Sequence, residues 1–229
     1  MNPERDVLVR CDQVARTFGS GRSAVVAVSG VTCEIQSADR LALMGPSGSG
    51  KSTLLHLWAG LDEPTRGSVT WPAIGARDQL RPGPIGVVFQ SPSLLAPLDV
   101  LENVALPLLL AGEQPDAARR KGREALERLD LASLAAKLPE EISGGQAQRV
   151  AVARVLAGRP RLILADEPTG QLDHVVGGLV IDALIDAALV SGAALVISTH
   201  DPRIGERLRP AWHMRDGHLD LQEAVACSA

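Results

Sequence analysis

Gly45-Pro46-Ser47-Gly48-Ser49-Gly50-Lys51-Ser52 stands between a short apolar run at residues 41–44 and a helical run at residues 51–59. The pattern G-x-x-x-x-G-K-[ST], set between a strand and a helix, reads as a phosphate-binding loop. Glycines let successive backbone N–H groups turn inward around phosphate oxygens, and the N-terminus of the following helix adds positive potential at the same place. Every residue from Gly45 to Ser52, with Thr53 behind it, is therefore a candidate nucleotide contact. Lys51 is placed to reach the β- and γ-phosphates, and the Ser52 hydroxyl to ligate Mg²⁺. A chance glycine-rich turn is the alternative, and the strand before it and the helix after it count against that.

Two further segments carry chemistry. Leu162-Ile163-Leu164-Ala165-Asp166-Glu167 is a short apolar strand ending in two carboxylates. In a phosphate-loop protein an Asp at this place supports Mg²⁺. The next carboxylate points elsewhere, which suits orienting and deprotonating an attacking water. A strand merely emerging into solvent would also end in charges; the phosphate loop in the same chain favours the functional reading. Ile142-Ser143-Gly144-Gly145-Gln146 precedes a helix, and Ser143 with Gln146 forms an S-x-x-Q capping box that any helix can use. Two successive glycines are not needed for capping and cost helix stability. They make sense where backbone N–H groups and a serine hydroxyl meet an anion.

Around these segments, strands are expected at residues 7–14, 25–35 (one or two, with a turn at Ser29-Gly30), 41–44, 68–71, 85–89, 162–165 and 194–198. Helices are expected at 51–59, 145–156 and 175–190, with a helical block over 100–138. Strands alternating with helices imply an α/β fold with a parallel sheet covered on both faces. The middle block reads as a helical subdomain inserted into that core. The expected organisation is one domain over 1–225, with its α/β core at 1–92 and 158–221, the helical insert at 93–157, and a loose tail at 222–229.

Bulk composition narrows the classes. The chain has 229 residues, 45% hydrophobic but only 2% aromatic and without Tyr, so its core must come from Leu, Val, Ile and Ala. A net charge of −4 gives no support for nucleic-acid binding. Cys11, Cys33 and Cys227 are odd in number and far apart in sequence, which argues against a disulfide framework or zinc site and suits a reducing compartment. The opening Met-Asn-Pro-Glu-Arg-Asp lacks a signal-peptide apolar stretch, and the apolar run at 104–111 is interrupted by Pro107. A soluble, cytoplasmic chain is expected.

Taken together, the phosphate loop, the acidic pair and the Ser143–Gln146 segment strongly resemble the ABC ATPase signature set, and the resemblance runs in order through most of the chain. Phe18 sits where the family places an aromatic against the adenine ring. Gln90, after Val87-Val88-Phe89, resembles the glutamine that links metal site and permease. Ile142 stands where the signature loop commonly has Leu. Gly170-Gln171-Leu172-Asp173 resembles the loop that contacts the opposite subunit, and Ser198-Thr199-His200-Asp201 the segment carrying the switch histidine. The resemblance implies a P-loop NTPase core with a small antiparallel β subdomain and an inserted helical subdomain. It implies Mg²⁺-dependent hydrolysis of ATP, with Lys51, Glu167 and His200 in catalysis and Ser52, Gln90 and Asp166 at the metal. It also implies a homodimer or pseudo-dimer, arranged head to tail, in which each Ser143 loop closes over the other subunit's ATP. A separate membrane permease would hold this subunit on the cytoplasmic face of the membrane. Residues 93–112 and 166–173 look most like the lipoprotein-release and macrolide-export branch, although residues 67–84 are fewer than that branch has, which implies a trimmed antiparallel sheet.

The rivals fit less well. Chromosome-maintenance ABC proteins carry long coiled-coil insertions and translation-type members two cassettes; this sequence has neither. A P-loop kinase has no use for Ser143–Gln146. His56, His174, His213 and His218 show no ligand-like partners. Arg119, Arg120, Lys121 and Arg123 form a basic run whose i,i+4 pairs, Arg120–Glu124 and Arg123–Glu127, indicate a solvated helix face. Leu94, Leu95, Leu98, Val100 and Leu101 fit either core or a groove for a partner helix.

Overall fold

The computed structural model describes residues 5–170 and 172–221. Gln171 and the expected tail at 222–229, with Cys227, lie outside the described residues. In chain order the elements are β1 (Val7–Phe18), β2 (Val25–Gln36), β3 (Arg40–Met44), α1 (Lys51–Trp58), β4 (Arg66–Thr70), β5 (Ile85–Val88), α2 (Val100–Leu110), α3 (Pro115–Glu127), α4 (Gly144–Ala157), β6 (Leu162–Asp166), α5 (His174–Ser191), β7 (Ala194–Thr199), α6 (Pro202–Arg207), β8 (Ala211–Arg215) and β9 (His218–Asp220). Six strands form one sheet in the order β5-β6-β7-β3-β8-β9, parallel except for the β8–β9 pair. Three form a small antiparallel sheet, β2-β1-β4.

The apolar runs of the central strands are unbroken because both faces of the sheet are covered, as in parallel sheets generally. Leu41, Leu43, Leu162, Leu164, Ala194 and Val196 pack into one core with α1 and the antiparallel sheet. Ala42, Ile163, Ala165, Leu195 and Ile197, the alternate residues, pack into the other with α2, α4 and α5. Helices α2, α3 and α4 thus share a core with one face of the sheet.

Three sequence expectations are revised. No turn forms at Ser29-Gly30: β2 runs straight through, and a one-residue register shift against β1 near Val14 and Arg16 is taken up with Gly30 at φ 62°. The 100–138 block is two helices and one 3₁₀ turn, Ala132–Leu134. Asp99 and Glu102 cap the start of α2, Gly112 at φ 87° leaves its end, and Pro115 opens α3. Finally, α6, β8 and β9 went unpredicted, being at most six residues long.

The cysteines are another surprise. Cys11 and Cys33, 22 positions apart, face each other across β1 and β2, both buried, with Trp58 Nε1 donating to Cys11 Sγ at 3.2 Å. Their mutual hydrogen bond holds the Cys11 thiol down and, with burial, pushes the Cys33 thiol up. Among the described helices α5 alone has the length and mean hydropathy (1.7) to cross a bilayer. It lies against the sheet and buries Gly177, Val180, Ile181, Leu184 and Ala188.

Candidate nucleotide site

Parallel register assembles the site. Met44 of β3 lies beside Thr199 of β7, Ser198 beside Asp166 of β6, and Ala165 beside Val88 of β5. The segments that follow these strands, bearing the phosphate loop, His200, Glu167 and Gln90, therefore emerge side by side, at the ~4.8 Å spacing of neighbouring strands. The C-terminal edge of a parallel sheet is where α/β folds place their ligands.

The phosphate loop leaves β3 with Gly45 at φ 151°, Gly48 at 78° and Gly50 at 104°. A side chain at Gly45 would strike the Met214 carbonyl, and one at Gly50 the Ala27 carbonyl. Gly217, in the β8–β9 turn, donates to Ser49 O at 3.1 Å and accepts from Ser29 N at 2.8 Å. The unpredicted hairpin thus braces the loop against β2. Pro46, Ser47, Gly48 and Ser52 are exposed and Thr53 half-buried in the first turn of α1. That helix has no side-chain cap and no acidic residue in its first turn, unlike α2 with its Asp99–Glu102 box. Ser49 Oγ is buried without a hydrogen-bond partner. Uncapped N–H groups and an orphaned hydroxyl in a side-chain-free cradle fit an anionic group.

Lys51 is only 4% exposed; its ammonium donates to Gly45 O (2.9 Å) and Pro46 O (3.0 Å) and lies 3.4 Å from Glu167 Oε1. Glu167 sits at φ 42°, a strained conformation for a side-chain-bearing residue. Its N–H is shared between Ser198 O (3.2 Å) and Ser198 Oγ (3.0 Å), and Gly170 N donates back to its carbonyl at 3.0 Å. The Ser198 hydroxyl donates to Asp166 Oδ1 at 2.5 Å, so one serine fixes both members of the acidic pair. Glu167 Oε2 lies 3.4 Å from Nδ1 of the exposed His200. Gln90 is exposed, with its amide nitrogen near Gly170. Phe18 ends β1 at 43% exposure, with the Arg16 guanidinium 4.5 Å from its ring centre. It pairs with Val25, two residues from the Ala27 that abuts Gly50.

The Ser143 segment stands apart. Gln146 Oε1 accepts from Ser143 N (2.8 Å) and Ser143 Oγ from Gln146 N (3.3 Å), so the capping box is formed, with Gly144 in open space and Gly145 against Leu172. Asp173 caps α5 by accepting from Val175 N and Val176 N. Among the described residues no hydrogen bond or ion pair joins residues 143–146 to residues 45–53. The Ser143 turn thus stands apart from the phosphate loop with Gln90, Asp166, Glu167 and His200, while Leu172 and Asp173 border both the Ser143 turn and the groove of Glu167 and His200.

Sequence reasoning passed over several residues that position these groups. From α4, Gln148 Nε2 donates to Phe89 O (3.0 Å), and Arg154 donates to Ser93 O and Pro92 O (3.0 Å each), clamping the backbone on either side of Gln90. Ser198 carries no local signal of its own beside His200. His174, set aside as unpartnered, is held by Arg203, whose other bonds to the Asp201 carboxylate hold that carboxyl down to about 2. A groove of about 350 Å³ between these segments is lined by Glu167, Gly170, His174, His200 and Arg203.

Residues 28–170, more than half the chain, match the ABC transporter family model. The lipoprotein-releasing system ATP-binding protein LolD of Legionella pneumophila (strain Paris) is 41% identical over 225 residues, covering 95% of this chain and 99% of that protein. The ATP-binding cassette MJ0796, in a dimeric post-hydrolysis state bound to ADP and Pi, is similar with a TM-score of 0.85 and 34% identity over 93% of this chain and 98% of that one. The cbiO1 protein of Clostridium perfringens, part of the ABC transporter complex cbiONQ, is similar with a TM-score of 0.81 and 27% identity over 95% and 88%. The chain belongs to the ABC transporter family. It is an ATP-hydrolysing, nucleotide-binding subunit of that family.

Proposed function

We propose that this subunit hydrolyses ATP as one half of a nucleotide-sandwiched dimer beneath a separate permease, and that the transporter releases lipidated proteins from a membrane. The observation that carries the dimer is the separation of the two groups: the phosphate loop lies on one part of the chain and the Ser143 turn on another. Each is half of a site, and two copies arranged head to tail complete two sites. The cargo reading rests on the 41% identical relative, which is named for lipoprotein release. Docking on the permease gives a cytoplasmic, peripheral location. Exposed Leu95, five residues past Gln90, is the apolar contact on the docking side, while Val100 and Leu101 are core. The division into a core at 1–92 and 158–221 with an insert at 93–157 belongs to the same proposal.

Within a site, the loop amides, the α1 N-terminus and Lys51 bind and orient the phosphates, and Phe18 stacks on the base. Glu167 accepts the proton of the attacking water, and its φ of 42° turns it out of the sheet towards that water. His200, at the Glu167 carboxylate oxygen that Lys51 does not approach, supports the γ-phosphate. Ser52, Gln90 and Asp166 offer a hydroxyl, an amide and a carboxylate, an all-oxygen set that suits Mg²⁺. When bound, Mg²⁺ neutralises charge on the β- and γ-phosphate oxygens. Catalysis is then mostly positioning and electrostatics.

Glu167→Gln tests this. The variant keeps the shape of the side chain and loses the base, so it binds ATP without turning it over. Light scattering should show a dimer with ATP and not with ADP, and Ser143→Arg added to it should abolish the dimer while nucleotide binding persists. An ATP-dependent dimer that survives Ser143→Arg refutes the shared site.

A further inference from the structure

The contact between His174 and Arg203 has no part in the reading above. His174 opens α5 one residue past Asp173, and Arg203 lies three residues past His200. Arg203 Nη2 lies 3.0 Å from His174 Nδ1, and because a guanidinium can only donate, the ring nitrogen is the acceptor of this contact. The same guanidinium grips Asp201 through Nε (3.1 Å to Oδ1) and Nη2 (2.7 Å to Oδ2). Asp201 Oδ1 also accepts from Arg203 N (2.9 Å), and Asp201 N donates to Thr199 Oγ1 (3.0 Å). An unbroken series of bonds therefore runs from His174 through Arg203 and Asp201 to Thr199, the neighbour of His200.

On the other side, hydrogen bonds tie Gly170 and Leu172 to the residues before them. Gly170 N donates to Glu167 O and Leu172 N to Thr169 O, both at 3.0 Å, and Asp173 caps α5. Between these two braced segments lie Glu167 Oε2 and His200 Nδ1, 3.4 Å apart. That exceeds ordinary hydrogen-bond length, so no bond between the two side chains fixes their separation. The bridge joins two residues that line the same groove.

We propose that His174 and Arg203 are positioning residues, whose contact ties the segment after Glu167 to the turn after His200 and so sets the spacing of those two groups during ATP hydrolysis. This rests on the assignment of Glu167 and His200 to the reacting side of the site. Stability is a poor explanation for the bridge, because Arg203 is 63% exposed and a hydrogen bond there gains little over one to water. Anion capture is a poor one too, because Asp201 already neutralises the guanidinium.

The test uses the full-length purified protein in steady-state ATP hydrolysis. His174→Ala and Arg203→Ala should each lower kcat roughly 5- to 10-fold, well short of the ~10²-fold that follows a full 1 Å misplacement. KM for ATP and the thermal midpoint should stay at the wild-type values. The double variant should lose no more than either single one, since both remove the same link. His174→Asn, whose amide oxygen can replace Nδ1 as acceptor, should recover most of the rate. Imidazole ¹⁵N resonances of His200 should move in the alanine variants. Unchanged kcat together with unmoved His200 resonances overturns the bridge, as does a loss in His174→Asn equal to that in His174→Ala. Resonances that move with kcat unaltered overturn instead the assignment of Glu167 and His200 to the reaction.

Discussion

Replacing Lys51 with alanine probes the site at its most buried charge. In the structure the ammonium is satisfied by two neutral carbonyls and a carboxylate at 3.4 Å. When a triphosphate binds, the ammonium exchanges carbonyl partners for charged oxygens. A hydrogen bond to a charged group contributes about 1.5–3 kcal/mol against about 0.5–1.5 for a neutral one, so the exchange gains only about 1–2 kcal/mol. Lys51→Ala should therefore weaken ATP by about 5- to 30-fold. Turnover should fall further, on the order of 10²–10³-fold, as when a preorganised donor to developing charge is removed. Titration with a fluorescent nucleotide gives the first number and phosphate release at saturating ATP the second, with circular dichroism confirming the fold. Folded Lys51→Ala protein with wild-type affinity and turnover would refute the reasoning.

Two other variants test the periphery of the site. Phe18→Ala should weaken ATP and ADP alike by a loss of about 1 kcal/mol, because both carry adenine and the half-exposed ring contributes little to the core; a loss confined to ATP, or an unfolded variant, counts against stacking. Leu95→Asp, at a position 47% exposed, should spare hydrolysis by the isolated subunit and remove its stimulation by the permease; normal assembly and transport would exclude this docking face.

Legibility followed distance along the chain. The phosphate loop, the acidic pair and the Ser143 capping box were readable because each is a run of neighbours whose chemistry is local: glycines that can turn, carboxylates that follow an apolar strand, a serine three residues before a glutamine. The same locality hid the break at Gly112, since helix-forming residues lie on both sides of it, and hid β8, whose alternation of buried Trp212 and Met214 with His213 spans only five residues. It also misjudged His174, whose partner lies 29 positions away.

By itself, then, the sequence determined the class of fold, the family resemblance and the candidate phosphate loop, because hydrophobic period and glycine-dependent backbone geometry are properties of short segments. The tertiary structure alone decided which segments meet. Parallel register brings Met44, Asp166 and Thr199 onto neighbouring strands although more than a hundred residues separate the first from the others. Ser198 can then serve both Asp166 and Glu167, Gly217 can brace Ser49, and Arg203 can reach His174. Such contacts arise from the packing of both sheet faces and the crossover connections between strands, and no local pattern encodes them.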